Sequence, residues 1–463
     1  MSSENLSIET MTEELLTVAK FGGTSLADYQ AMLRCAHIIE NKVSNKLIVV
    51  SASSGVTNLL VRLSQSKLAD TEQSQIIDKI RNIQFDFISC LPQFYSLKAE
   101  ITELLKQLTA HALQQSLHYS LHLGDVILSY GEQMSSRIFA CVLQSIGLNA
   151  AYFDVRQVMK TNGLFGQAVV DLSALKQHCD DFLIPKIDKQ IIVTQGFIGE
   201  SSEGQTTTLG RGGSDYSAAL LAEAINASHL AIWTDVMGIY TTDPRITDQA
   251  RAIKEISFGE AAEMATFGAK ILHPATLLPA MRQNIPVFVG SSKEPEMGGT
   301  YIQKNVISQP TYRSIALRRE QTLVTVKSPA MLHASGFLAS LFAVLAKHQL
   351  SVDLITTSEI SVALTFDNPT GTTQALLNST VVKELEQLCE VSVEHGLSLI
   401  AVVGNHIHQT NGVGTKIFDA LDGINVRMIC QGASEHNLCF LVDEQQANEA
   451  VEQLHYALFN EVS

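Results

Sequence analysis

From residue 15 onward, apolar runs rich in β-branched residues alternate with segments whose apolar positions recur at helical spacing. That alternation predicts an α/β domain with a largely parallel sheet, because each buried strand needs a helix to return the chain to the same edge. Residues 15–19 read as the first strand and 27–41 as the helix after it. Further strands are predicted at 47–50, 191–194, 230–233 and 285–289, each running directly into a loop rich in Gly or Ser. Ligands of open parallel sheets bind at such loops.

The stretch from about 291 to 311 is dense in Gly, Pro, Ser and Lys and carries no sustained period, which predicts a domain boundary. Beyond it one pattern occurs twice. A helical segment at 336–342 leads to strand-like runs at 350–355 and 360–366; another at 412–418 leads to 424–429 and 437–442. Phe342 and Phe418 each fall six residues after a glycine, so this half is a duplicated small α+β module.

At 463 residues the chain exceeds one core, and two to four domains are expected. With 46% hydrophobic and 17% charged residues it is a folded globular protein, and no apolar run is long enough to cross a bilayer. Residues 1–10 have neither a basic nor an apolar signal region and read as a polar leader. Seven cysteines (Cys35, Cys90, Cys141, Cys179, Cys389, Cys430, Cys439) form no Cys-x-x-Cys pair, so neither a disulfide framework nor a zinc ribbon is expected, and a cytoplasmic location fits. A net charge of −15 works against nucleic-acid binding.

Lys-Phe-Gly-Gly-Thr-Ser at 20–25 lies between the first strand and first helix, where glycines let backbone N–H groups approach a phosphate at a helix start. The lysine precedes the glycines, so this is not a Walker A loop. Taken alone it is equally a turn with a solvated lysine; its place after a strand favours function. The loop at 51–58 offers hydroxyls and a glycine, although alone it is more often an ordinary turn. Residues 206–215 place a guanidinium, three glycines and a carboxylate before a helix predicted at 216–227, and Arg211 has the planar fork to clamp a carboxylate. Residues 233–245 follow another strand, and Phe-Gly-Ala-Lys-Ile-Leu-His-Pro at 267–274 closes a helix. His118 and His122 share the i, i+4 spacing of a metal pair, but without the accompanying Glu a solvated helix face is the better reading. His406 and His408 read as one face of a strand, and Cys35 and Cys141 as core.

In this order, the motifs at 20–25, 209–215, 234–245 and 267–274 resemble the aspartate kinases of the amino-acid-kinase superfamily over nearly the whole chain. Met331-Leu-His, Gly336-Phe-Leu338 and the run 351–359 resemble most the monofunctional, lysine-sensitive aspartokinase III type. The resemblance implies an amino-acid-kinase three-layer αβα sandwich with a mostly parallel sheet at 15–300, a linker at 301–310, and two ferredoxin-like ACT modules. The first module, 328–398, would be inserted in the second, formed by 311–327 and 399–463. It further implies ATP-dependent phosphorylation of the side-chain carboxylate of L-aspartate to 4-phospho-L-aspartate, the first step towards lysine, threonine and methionine, inhibited by L-lysine. No fused homoserine dehydrogenase is expected, since the only dinucleotide-like loop, 412–417, lacks the third glycine.

A carboxylate nucleophile is already ionised and needs no general base; the obstacle is its repulsion from the ATP phosphates. Lys20 and Lys270 are the expected cations, with Phe21, Gly22 and Gly23 forming the phosphate loop. By resemblance, Arg211 holds the α-carboxylate of aspartate and Glu132 its α-ammonium. Thr57, Gly212, Gly213 and Ser214 help to seat the substrate, Asp215 orients the lysines, and Thr234, Asp235, Tyr240 and Arg245 contact the nucleotide. Mg²⁺ enters with ATP, held by phosphates and water without a dedicated protein cage. The lysine effector would meet Met331, Phe337, Leu338, Ser351, Val352, Asp353, Ser358 and Glu359, the two acids facing its ammonium groups; core packing competes as a reading, most closely for Leu338 and Val352. Ala334-Ser335 replaces the family's Ser-Arg before Gly-Phe-Leu. ACT pairing implies a homodimer or higher assembly. Two alternatives stand beside this: a related kinase acting on glutamate, N-acetylglutamate or carbamate, and a ligand sensor with an inactive kinase domain. Glu132 with Arg211 favours a free α-amino acid, and the presence of Lys20, Arg211, Asp215 and Lys270 speaks against the sensor.

Overall fold

The computed structural model describes residues 16–460 except 42–44, 66–67, 269–271, 273, 333–334 and 367–376, so Lys270 and Ala334 lie outside the described residues. The chain forms two compact units, Met1–Ile239 with Leu272–Lys304, and Tyr240–Ile271 with Asn305–Ser463.

In the first unit the strands are β1 (Thr17–Phe21), β2 (Asn45–Val50), β3 (Ala150–Phe153), β4 (Lys160–Thr161), β5 (Ile191–Gln195), β6 (Ile198–Ser201), β7 (Thr206–Thr208) and β8 (His229–Thr234). After β9 (Glu255–Ser257), which belongs to the second unit, come β10 (Val287–Ser291) and β11 (Gly299–Gln303). The main sheet of the first unit runs β3-β5-β2-β1-β8-β10-β11, parallel except for the β10–β11 pair. All five residues of β1 are buried. A parallel strand covered on both faces must be apolar on both, which is why these strands read as continuous hydrophobic runs. Helices α1 (Tyr29–Glu40), α2 (Val56–Ser64), α3 (Asp70–Ser89), α4 (Tyr95–Leu117) and α5 (Leu121–Ser145) build the core against Ala19 and Phe21, with Phe139 of α5 at 5.7 Å from the Phe21 ring. After the short α6 (Leu172–His178) and α7 (Ile184–Ile187), α8 (Gly213–Ala224) packs on the other face of β1, completing the αβα layering.

Capping and spacing explain α1: the Asp28 carboxylate accepts the Ala31 N–H at 2.8 Å, and Met32, Cys35, Ala36 and Ile39 form one buried stripe. Several expectations change. Helix α8 begins at Gly213, not 216, with Gly212 as its left-handed N-cap. His118 caps the end of α4 whereas His122 lies in α5, so the two do not share a helix face. Residues 301–303 belong to β11, paired antiparallel with β10, so they are sheet rather than linker.

The second unit holds a continuous antiparallel sheet, β13-β14-β12-β15-β17-β16, from β12 (Ser314–Lys327), β13 (Ile355–Thr357), β14 (Ser361–Phe366), β15 (Glu390–Val403), β16 (Met428–Gln431) and β17 (Asn437–Asp443). With α9 (Phe258–Thr266), it carries α11 (Phe337–Lys347), α12 (Ser379–Leu385), α13 (Val413–Asp419) and α14 (Ala447–Phe459), while α10 (Pro274–Gln283) lies in the first unit. β12 and β15 pair along nearly their whole lengths, with the register broken between Arg318 and Leu323, where Glu320 has φ 58° and Gly396 φ 74°. One core gathers Val324, Val326, Leu341, Leu345, Val362 and Leu385; the other gathers Ile315, Ile400, Val402, Ile417, Phe440 and Leu454. The end of β12, expected with the host module, thus serves the first core. Of the predicted strands at 350–355 and 424–429, only the last residues are extended in the sheet, and His406 and His408 lie in a loop, His406 at φ 54°.

Candidate active site

Lys20 lies on β1 opposite Val49 of β2 and Ile232 of β8, one residue before the C-terminal end of the strand. The loops beyond these strands are tied at that edge. Gly22 N–H donates to the Trp233 carbonyl at 3.0 Å, Ser51 N–H to that of Phe21 at 3.2 Å, Gly196 N–H to that of Val50 at 2.9 Å, and Ser292 N–H to that of Thr234 at 2.8 Å. Two glycines permit close approaches at this edge. A Cβ on Gly131 would lie 2.6 Å from the Ala52 Cβ, so α5 passes against the β2 loop; one on Gly196 would lie 2.7 Å from the Ser214 Cα, so the start of α8 presses on the β5 loop.

Those approaches gather the charges. Lys20 Nζ lies 2.5 Å from Asp215 Oδ1 in the first turn of α8, with both side chains largely buried. Glu132 of α5 is 4% exposed and accepts the Ala52 N–H. Burial outweighs that hydrogen bond and the Lys20 charge, and its carboxyl is pushed up to about 8. Arg211 is exposed, held between Gly210 and Gly212, whose φ angles of 76° and 72° only glycine adopts freely. Thr57, exposed, is the second residue of α2, and Thr234, half-buried, ends β8 with its Oγ1 3.2 Å from the exposed Asp235 carboxylate. The expected residues Lys20, Phe21, Gly22, Gly23, Thr57, Glu132, Arg211–Asp215, Thr234 and Asp235 all belong to the first unit. Tyr240 and Arg245 belong to the second, where the Arg245 fork is engaged by Asp243 at 2.6 and 3.0 Å and holds that carboxyl below its usual range.

Asp125 lies outside every motif: its carboxylate accepts Gly166 N–H, Thr208 N–H and Thr208 Oγ–H at 2.9, 2.8 and 2.9 Å, locking α5 to β7. The only sequence signal was an acid within an otherwise apolar helical stretch. Among the described residues no cluster of three His, Cys, Asp or Glu could hold a metal ion.

In the second unit, Met331, Phe337 and Val352 pack against the first core, whereas Leu338, Ser351 and Glu359 are exposed. Asp353 lies 3.2 Å from the Arg318 guanidinium, and Ser358 Oγ lies 2.6 Å from Ser361 Oγ in the turn joining β13 to β14. Nearby helix and strand ends thus put carboxylates and hydroxyls at the surface around an apolar patch.

A parallel-sheet crevice with a lysine on the first strand and a glycine-rich helix start defines a phosphoryl-transfer fold of the amino acid kinase family, whose model matches residues 16–291; an ACT domain model matches 400–458. The lysine-sensitive aspartokinase 3 of Escherichia coli is 51% identical over 446 residues, covering 96% of this chain and 99% of that protein. The crystal structure of E. coli aspartokinase III with aspartate and ADP (R-state) superposes with a TM-score of 0.88 at 51% identity, over 96% of this chain and 100% of that one. For the complex with lysine and aspartate (T-state) the TM-score is 0.83 at 52% identity, over 96% and 99%. Aspartokinase 1 of Arabidopsis thaliana chloroplasts is 33% identical, covering 96% of this chain and 80% of that protein. The chain belongs to the aspartokinases.

Proposed function

We propose that this protein transfers the γ-phosphoryl group of MgATP to the side-chain carboxylate of L-aspartate, yielding 4-phospho-L-aspartate and MgADP, as the first step towards lysine, threonine and methionine, and that L-lysine bound in the antiparallel-sheet unit inhibits it. The observation that carries this reading is the buried Lys20–Asp215 pair beside Glu132 at the C-terminal edge of the parallel sheet. Lys20 neutralises charge as the phosphoryl group moves, and Asp215 fixes its ammonium in place before substrate arrives, so no reorganisation is needed at the moment of transfer. Backbone N–H groups of Gly23 and of Ser214 and Asp215 in the first turn of α8 face the phosphates, while Gly22 N–H is spent on the Trp233 carbonyl and sets the loop. Glu132 pairs with the α-ammonium and Arg211 with the α-carboxylate, leaving the side-chain carboxylate towards the γ-phosphate. Mg²⁺ would enter with the nucleotide, held by phosphates and water, and would supply further charge neutralisation beside Lys20. Tyr240, Arg245 and Lys270 keep the nucleotide-contact role that the resemblance implies, and Met331, Phe337, Leu338, Ser351, Val352, Asp353, Ser358 and Glu359 the lysine-binding role. A cytoplasmic homodimer with ACT modules near 328–398 and in the flanking segments accompanies this reading.

The test is acyl-phosphate formation trapped with hydroxylamine, dependent on ATP and Mg²⁺, comparing aspartate with glutamate and titrating lysine and threonine. Aspartate-selective product suppressed by lysine is expected. Product from glutamate instead would move the assignment to a sister kinase, and no product from either would leave a sensor.

A further inference from the structure

Helix α5 is buried along most of its length, yet one stripe of it is polar: Asp125, Ser129, Glu132 and Ser136 recur at i, i+4, i+7 and i+11, and all four are buried. That spacing puts them on one face, where a buried helix ordinarily carries apolar side chains. Glu132 is fixed within the stripe, because Ser135 Oγ–H donates to the Ser51 carbonyl at 2.7 Å and Gly131 lies against Ala52. Asp125 stands seven positions earlier, about two turns or 10.5 Å back along the helix. Its charge is answered by hydrogen-bond donors: Oδ2 accepts the N–H groups of Gly166 and Thr208, and Oδ1 accepts Thr208 Oγ–H. A carboxylate taken out of water demands such donors, so where Asp125 sits, Gly166 and Thr208 must follow.

Both donor residues lead to Arg211. Thr208 ends β7, three residues before it, and the Thr208 carbonyl accepts Ala168 N–H at 2.9 Å. The chain then runs close over the backbone at 166–167, where a Cβ on Gly210 would lie 3.2 Å from the Gly166 carbonyl oxygen. Leu209 N–H donates to the Phe197 carbonyl at 2.9 Å, and Gly213 N–H donates to the Gly210 carbonyl at 3.0 Å, closing a turn with Arg211 at its first corner. Among the described residues no side chain pairs with the Arg211 guanidinium, so this backbone alone sets where the fork starts.

We propose, resting on the functional reading above, that Asp125 is a positioning residue for the acceptor amino acid: through Gly166 and Thr208 it ties the Arg211 turn to the helix that carries Glu132. Helix α5 then acts as a gauge. It sets the span between the group that meets the α-ammonium and the group that meets the α-carboxylate, and so favours acceptors that carry both on one carbon. Asp125, enclosed by its donors, acts through Arg211 alone, and its effect falls on KM for the amino acid.

The test is a double-mutant cycle on the full chain, read by hydroxylamine-trapped acyl phosphate. Asp125→Ala leaves two buried N–H groups without their acceptor and frees the turn. It should raise KM for aspartate about tenfold, the factor that 1.4 kcal/mol represents, with kcat and KM for ATP within about twofold of the parent. Arg211→Ala should raise KM for aspartate by itself, and adding Asp125→Ala to it should raise KM no further. Asp125→Asn, whose amide oxygen accepts the same two N–H groups, should recover most of the loss. Thr208→Val removes the hydroxyl alone and should raise KM about threefold, which decides the matter if Asp125→Ala does not fold. The parent is assayed first: without ATP-dependent acyl phosphate from aspartate, or with Arg211→Ala keeping the parent's KM, the functional reading itself falls. With that reading intact, a folded Asp125→Ala protein whose KM for aspartate stays within about twofold of the parent overturns the gauge alone. So does a Thr208→Val protein with the parent's KM where Asp125→Ala does not fold. Losses that multiply in the double variant, that fall on kcat and KM for ATP alike, or that Asp125→Asn leaves unrelieved overturn it too, because none of them runs through Arg211.

Discussion

Replacing Glu132 by Gln separates the chemistry of its buried carboxyl from its shape. The carboxyl is pushed from an ordinary value of 4.5 to about 8 by burial. Between those pH values the folded protein keeps a proton that the unfolded chain has lost, so folding stability falls as pH rises from about 4.5 to about 8 and is fully present below that window. At 1.36 kcal/mol per pH unit the whole window amounts to about 5 kcal/mol, and Gln, which mimics the protonated form, escapes it. The thermal midpoint of Glu132→Gln relative to the parent should therefore climb steadily between pH 5 and 8.5, read by differential scanning fluorimetry. Catalysis gives the opposite sign. Only the ionised carboxylate attracts the α-ammonium, so kcat/KM for aspartate in the parent should rise nearly tenfold per pH unit up to about pH 8 and then level. In the variant that slope disappears, and kcat/KM falls by about 10²-fold, as expected when one partner of a buried charge pair is lost. A midpoint difference independent of pH, or a variant keeping the parent's pH profile, would refute the assignment of this carboxyl.

Lys20→Ala should lower kcat by about 10²- to 10³-fold in the hydroxylamine assay and lower the thermal midpoint as well, because Asp215 is left without its largely buried partner. Gly196→Ala should cut activity severely in a folded protein, because its Cβ would press on the Ser214 backbone at 2.7 Å; circular dichroism alongside kinetics checks this. Asp353→Asn should raise the lysine concentration for half-inhibition while leaving uninhibited kcat near the parent value, measured by lysine titration.

Much of the first unit was readable from the chain itself. The continuous apolar strands and the glycine-rich turns after them marked the sheet and its binding edge. The pairing of Lys20 with Asp215, 195 positions apart, came from family resemblance, because no spacing rule connects β1 to the start of α8. What escaped was burial that depends on a partner element. Ser257 and Glu260 spell a capping box, which forecasts a helix start and says nothing of the second carboxylate oxygen that Arg313 and Asn405 occupy. The run 350–355 reads as strand-like in the sequence. In the structure Thr365 Oγ1 takes the Leu354 N–H and the Thr365 carbonyl takes that of Asp353, so the chain bends around one threonine before the ladder begins at Ile355. Helices α3 and α4, absent from the predicted elements, are surface helices whose mixed polar faces blur the period.

The two fourteen-residue strands, β12 and β15, give the regulatory half an architecture that cannot be cut at its module boundaries. Each strand contributes one end to each core, so a fragment limited to 328–398 would leave behind the β12 residues Val324 and Val326 and expose an unpaired edge to aggregation. Chimaeras that exchange one sensing module should fold only when their junctions fall at the register break near Glu320 and Gly396, where the ladder is already interrupted. Refolding of this half should likewise proceed as one cooperative event, since neither core closes before β12 finds β15 some seventy residues away.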